Sequence, residues 1–251
     1  MRWTYMENKL TVFNFTGVYE SESFYRGDKG SYLCDFLDLK NISGTNCFCD
    51  DYAREQIRGM IASRGISPNG IHFIDNGNYH YMSAIMLEQV KEPFSLVVLD
   101  HHPDMQAPMF GDILSCGGWV LDVIEKNEFV RDIHVIGADR GLIDKLDENA
   151  RNRAFFYDST KGVDPHYPVY LSIDKDVLAT DELITNWDQG QMSADELLSF
   201  VKEMLSMRDV IGIDVCGECA LDQEGISVDL EIIRNDEFNI RLLKETGYSI
   251  I

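Results

Sequence analysis

The sequence predicts an α/β domain with a mostly parallel sheet covered by helices on both faces, and three observations predict it. Short β-rich apolar runs alternate with helix-length segments along the chain. Several of those runs are apolar at consecutive positions, as strands buried on both faces are. The 251 residues, 45% of them hydrophobic, suffice for one large core. No repeat, low-complexity tract or Pro/Ser-rich linker divides them, so a single domain over residues 1–251 is expected.

In order, strands are expected over residues 10–15, 72–75, 95–100, 133–137, 169–173 and 210–215. Helices are expected over 50–63, 81–90, 117–126, 193–206 and 228–245. Ser193-Ala-Asp-Glu196 reads as a capping box, with Ser193 as N-cap and Glu196 reaching back. In the last helix Leu230, Ile233, Phe238 and Leu242 fall near helical spacing and would pack on the chain's own sheet or on a neighbouring copy.

Composition excludes several classes. Residues 1–15 lack the long apolar stretch and small-residue cleavage site of a secretory leader, and no run approaches the roughly 18 apolar residues of a membrane helix. A cytoplasmic protein with six reduced cysteines is therefore expected. Cys216-Gly-Glu-Cys219 has the spacing of half a zinc site, but Cys47-Phe-Cys49 does not supply the other half. Asp plus Glu number 43 against 22 Lys plus Arg, a balance of −21, which repels nucleic acid and anionic membranes. Such a field draws a cationic small molecule, although an acidic surface also serves solubility.

The chemistry should sit where strands end, because open α/β sheets bind ligands at the carboxyl ends of their strands. Four expected strands run into candidate ligands: His80 follows the second, Asp100-His-His-Pro-Asp104 the third, Asp174-Lys-Asp176 the fifth, and Asp214 with Glu218 the sixth. Asp100, His102 and Asp104, like Asp174 and Asp176, alternate and would project to one side of an extended chain. Carboxylates crowded in one crevice require cations. A set of carboxylates and imidazoles without thiolate favours Mn²⁺, with Zn²⁺, Fe²⁺ or Co²⁺ as alternatives, and six ligands suit two ions.

These segments resemble the ureohydrolase family of arginase, agmatinase and formiminoglutamase. That family carries Gly-Gly-Asp-His, Asp-Ala-His-x-Asp and Ser-x-Asp-x-Asp in this order. Here stand Gly77-Asn-Tyr-His80, Asp100-His-His-Pro-Asp104 and Ser172-Ile-Asp-Lys-Asp176, and Ile136-Gly-Ala-Asp-Arg-Gly141 is similar to the family's Ile-Gly-Ile-Arg segment. The resemblance implies a three-layer α/β/α sandwich of the arginase/deacetylase kind. It places His80, Asp100, Asp104 and Asp174 around one ion and Asp100, His102, Asp174 and Asp176 around the other. It further implies hydrolysis of a carbon–nitrogen bond in a small guanidino, amidino or amide compound by solvent held between the ions. The family often forms trimers or hexamers, so a homo-oligomer is an expectation.

The departures bear on substrate. Cys116 stands where the family's proton-shuttling histidine is usual, Tyr79 replaces the aspartate before His80, and Gln106 replaces the asparagine that contacts arginine's carboxylate. Arginine is accordingly not the expected substrate. Asp100, Glu218, His101 and Cys116 are the candidate catalytic groups: Asp100 at the metals, Glu218 as a clamp for a cationic group, and His101 or Cys116 as the proton relay. Two other readings share the fold: a mononuclear deacetylase-like amidohydrolase, and a metal- or ligand-binding protein without turnover.

Overall fold

The computed structural model describes residues 9–26, 34–108 and 111–247, so part of the segment examined for a leader, residues 1–8, lies outside them. In chain order the strands are β1 (Leu10–Asn14), β2 (Asp35–Asp38), β3 (Phe48–Cys49), β4 (Ile71–Phe73), β5 (Phe94–Leu99), β6 (Leu114–Ser115), β7 (Val130–Ile136), β8 (Phe155–Tyr157), β9 (Val169–Asp174) and β10 (Val210–Cys216). The helices are α1 (Asp51–Arg64), α2 (Met82–Leu87), α3 (Trp119–Lys126), α4 (Arg140–Ile143), α5 (Glu148–Arg151), α6 (Ala194–Met207) and α7 (Val228–Glu245). Eight strands pair in the order β2-β1-β4-β10-β9-β5-β7-β8. All of these pairings are parallel. Strands β3 and β6 form a separate antiparallel ribbon.

The doubly buried runs have a direct structural cause. Along β5, Leu96 and Val98 enter an apolar cluster with Ile57 of α1, Ile85 of α2 and Val120 of α3. Val97 and Leu99 enter a second cluster with Val201 of α6 and Leu242 of α7. Successive side chains point to opposite faces of a strand, so a strand covered on both faces must be apolar at every position. The result is a three-layer α/β/α sandwich, and no helix among the described residues is long and apolar enough to cross a membrane.

All six expected strands and all five expected helices are present, with no end shifted by more than three residues. Strands β2 and β8 were not expected. They are short sheet edges with mostly exposed or half-buried residues, so they lack the continuous apolar signal. Two local expectations need correction. Ser193 does cap α6, accepting the Glu196 N–H at 3.2 Å, but the Glu196 carboxylate accepts from the Thr160 hydroxyl at 3.1 Å instead of reaching back. The expected apolar stripe of α7 is split: Phe238 and Leu242 are buried while Leu230 and Ile233 are exposed. Asn235 and Asn239 occupy the buried face in their place, because their amides satisfy buried charges described below.

Candidate metal centre

Strands β4, β9 and β5 lie near the middle of the sheet, separated only by β10, and their carboxyl ends open to one side. The chain leaves each by a turn. After β5, Asp100 Oδ1 accepts the His102 N–H at 2.6 Å, and Asp104 takes a left-handed φ of 48°. At the end of β9, Asp174 Oδ1 accepts the Asp176 N–H at 2.9 Å and opens the one-turn helix Lys175–Val177. After β4, Asn76 Oδ1 accepts the Asn78 N–H at 3.1 Å, capping the turn Gly77–Tyr79 that delivers His80. The extended alternation expected at Asp100/His102/Asp104 and Asp174/Asp176 is therefore replaced by turns, since an aspartate that bonds the backbone two residues on bends the chain. Gly217 closes the side next to β9. Its φ is +97°, and a Cβ there would collide with Asp174 Oδ1, so glycine alone fits.

These turns bring the six expected ligands together. His80 Nδ1 lies 3.3 Å from Asp100 Oδ2, 3.1 Å from Asp104 Oδ2 and 3.4 Å from Asp174 Oδ2. His102 Nδ1 lies 2.8 Å from Asp176 Oδ2 and 3.6 Å from Asp100 Oδ1. Two overlapping trios can each hold an ion, His80 with Asp100 and Asp174, and Asp100 with His102 and Asp176, the ligand atoms of each lying within 4.8 Å of one another. Asp100 is common to both. Asp104 borders the first trio, and its Oδ2 also accepts the Trp119 Nε1–H at 2.7 Å.

The residues fit a divalent cation. His80 Nδ1 and Asp100 Oδ2 are buried and have no hydrogen-bond partner, although buried polar atoms in native proteins nearly always find one. The opposite nitrogen of His80 is engaged by Ser172 Oγ at 2.9 Å, which fixes the ring with Nδ1 toward the carboxylates. Without thiolate, the donor set suits Mn²⁺ and other borderline or hard ions.

Electrostatics within the metal-free cluster point the same way. Burial lowers the His102 pKa, but the adjacent carboxylates of Asp100 and Asp176 outweigh it and raise it to about 12. Burial likewise opposes protonation of His80, and Asp100, Asp104 and the Asp174 charge overcome it. Burial, then the Asp100 charge, pushes Asp104 up to about 7. Burial, then the charges of Asp100 and Asp174, raises Asp176. Asp100 is held below its usual range because the adjacent His102 and His80 imidazoles outweigh its burial. Protons thus stand in for cations, and a metal must displace them. Raised pKa values mean more protons bound in the metal-free form at neutral pH, so apparent Mn²⁺ affinity is expected to rise with pH between 6 and 8, by about tenfold per unit for each proton displaced. Calorimetric titration in buffers of different ionisation enthalpy measures that release, and a pH-independent affinity would contradict it.

A cavity of about 330 Å³ opens over the cluster, lined by Asp100, His102, Asp104, Asp174 and Asp176 and walled by Phe48, Gln106, Cys116 and Trp187 among others. Cys116 is the only one of the two relay candidates to reach it. The neighbouring Cys47, with burial, holds its thiol well above the ordinary thiol value, while Cys47 is lowered to about 7. His101 lines a separate cleft with Gly137, Asp139 and Glu196, and its ring meets that of His102 edge-on with centroids 5.3 Å apart. Its backbone N–H supports the site instead, donating to Asp176 Oδ1 at 2.9 Å.

The last expected arm does not reach the cavity. Asp214 lies inside β10, where its Oδ1 accepts from Tyr170 Oη and faces His72 Nδ1, both at 2.8 Å. Glu218 is fully buried in an ion pair with Lys175 and accepts from Asn239 Nδ2 at 3.0 Å. With its charge answered from inside, Glu218 is not placed to clamp a cationic ligand. Cys216 is also buried and donates to the Asn76 carbonyl at 3.2 Å, and all six cysteines are free thiols. Sequence reasoning missed Phe48 and Trp187 as cavity walls. The available signal was an aromatic residue near an asparagine in each of two short polar segments, Asn46-Cys-Phe48 and Asn186-Trp-Asp188.

The architecture and the position of the cluster define the class: the chain is a divergent member of the arginase fold. A Streptomyces clavuligerus proclavaminate amidino hydrolase superposes with a TM-score of 0.66 at 13% identity, covering 96% of this chain and 92% of that one. The formimidoylglutamase of Bacillus subtilis gives 0.65 at 13% identity, covering 97% and 88%. In sequence the chain is 29% identical over 217 residues to an uncharacterised protein of Thermotoga maritima, spanning 83% of this chain and 79% of that protein. No known family profile matches it.

Proposed function

We propose that the chain is a binuclear metal-dependent hydrolase that cleaves a carbon–nitrogen bond of a small guanidino, amidino or amide compound. One observation carries the reading. Asp100 turns Oδ1 toward His102 and an unpartnered Oδ2 toward His80, so it joins two ligand trios beneath one cavity. The names of the structural neighbours, an amidino hydrolase and a formimidoylglutamase, support this bond type.

Bound divalent ions, Mn²⁺ by ligand type, would activate water and polarise an electron-poor carbon. The chain's own residues supply the frame. Ser172 orients His80, Trp119 holds Asp104, and the His101 N–H holds Asp176. Cys116, a protonated thiol on the cavity wall, would hydrogen-bond a departing nitrogen.

A second reading, a metal-holding protein without turnover, is favoured by one observation: neither His101 nor Glu218 lines the cavity. The deciding experiment loads the protein with Mn²⁺ and assays ammonia and urea release from a panel of amidines, guanidines and amides, with and without chelator. Chelator-sensitive release is expected. Stoichiometric metal with no turnover of any compound would favour the second reading.

A further inference from the structure

The wall of the cavity says what kind of tail the substrate carries. Among the described lining residues there is no Lys or Arg, and the only carboxylates are the candidate metal ligands Asp100, Asp104, Asp174 and Asp176. Those four charges balance two divalent cations, which leaves no acid free to pair with a remote ammonium group. The nearby charges are turned away: Lys175 and Glu218 are paired with each other and fully buried. A charged tail entering here would lose its hydration without gaining a partner, which is costly.

What the wall does offer is apolar and aromatic. Phe48 is 38% and Trp187 43% exposed, and both line the cavity. The indole is fixed rather than free. Trp187 Nε1 donates to Asn78 Oδ1 at 3.0 Å, and its ring meets His102 edge-on with centroids 5.8 Å apart. A Cβ at Gly77 would stand 2.5 Å from Trp187 Cδ1, so the glycine before Asn78 lets the indole lie against this turn. Gln106 and the Cys116 thiol add uncharged hydrogen-bonding groups. A rigid aromatic wall with few polar points selects a flat apolar group at low entropic cost.

Resting on the hydrolase reading for the head group alone, we propose that the substrate bears an uncharged, apolar or aromatic substituent that packs on Phe48 and Trp187, rather than a carboxylate or ammonium tail. Three guanidines of similar length test it: butylguanidine, agmatine and guanidinobutyrate, with benzylguanidine as the aromatic case. Binding to the Mn²⁺-loaded protein is measured by calorimetry, so turnover does not enter the readout. The uncharged pair should bind at least about tenfold tighter than either charged compound, about 1.4 kcal/mol. Trp187→Ala should erase that preference while retaining metal content and the affinity for guanidine itself; Phe48→Ala serves if the first variant does not fold.

Equal or tighter binding of a charged-tail compound overturns the proposal, as does a preference unchanged in both variants or no binding by any of the four. Tight binding of the uncharged pair without hydrolysis would sink the hydrolase reading and leave the tail assignment standing. Hydrolysis without tail discrimination would do the reverse.

Discussion

Asp100→Ala is expected to lose both divalent ions at a Mn²⁺ concentration that saturates the native chain. The carboxylate belongs to both ligand trios, so its removal leaves each with two donors. It also strips the hydrogen bond that Asp100 Oδ1 accepts from the His102 N–H at 2.6 Å, loosening the turn that aims the imidazole. Two weakened sites should empty together, and hydrolysis should fall by at least about a thousandfold, roughly 4 kcal/mol of lost transition-state stabilisation. Elemental analysis per chain gives the count. Asp104→Ala provides the contrast, because Asp104 borders only the trio that contains His80 and its Oδ2 also accepts from Trp119. It should retain the ion of the Asp100, His102 and Asp176 trio. Full occupancy in Asp100→Ala would dismantle the shared-ligand reading.

The largest effect on stability is expected from Lys175→Met. Lys175 sits between two candidate ligands in sequence, yet its ammonium points inward to Glu218 and donates to Asn235 Oδ1 at 2.6 Å. Asn239 Nδ2 links the cluster to Glu22 Oε2 at 3.0 Å. Removing the lysine strands two buried carboxylates. Breaking a buried pair from one side costs about 3–5 kcal/mol, and for a chain of this size that lowers Tm by roughly 6–20 °C. Adding Glu218→Gln should restore part of the loss, because the remaining charge is removed with its partner.

The pH dependence of that loss has a definite sign. Burial, then the Glu218 charge, raises the Glu22 pKa well above the usual carboxylate range. A raised acid pKa favours folding below the unfolded value near 4.3, and this contribution is lost as pH rises through the folded value. The variant should therefore lose more stability at pH 8 than at pH 5. Thermal unfolding at the two pH values, in saturating Mn²⁺, measures it, and an equal loss at both would count against the stranded-carboxylate explanation.

The strands that frame the centre were legible for a simple reason. Runs such as Ser95-Leu-Val-Val-Leu99 are buried on both faces, so every position carries the signal. Edge strand β2, Asp-Phe-Leu-Asp, has one fully buried residue in four, and no periodicity can show through so short a pattern. The ligand motifs were legible because two acids and two histidines at the end of a buried run have little structural use. The ligands do not alternate along an extended chain, however. Asx turns at Asp100 and Asp174 take the chain out of extension within two residues, and the same turn sends Lys175 to the interior.

The sequence by itself determined the α/β architecture, the side of the sheet that carries chemistry, and the six residues that gather there. All three follow from local patterns: burial periodicity, and ligand types placed directly after strands. Tertiary structure alone decided the rest. It showed that His101 faces a separate cleft, that Asp214 is spent on His72 and Tyr170, and that Glu218 answers Lys175. It also set Phe48 and Trp187, 139 positions apart, on one cavity wall. The physical reason is the same in each case. A charged or aromatic side chain takes its role from the partner it meets across the fold, and that partner lies on another element whose distance along the chain says nothing of its distance in space.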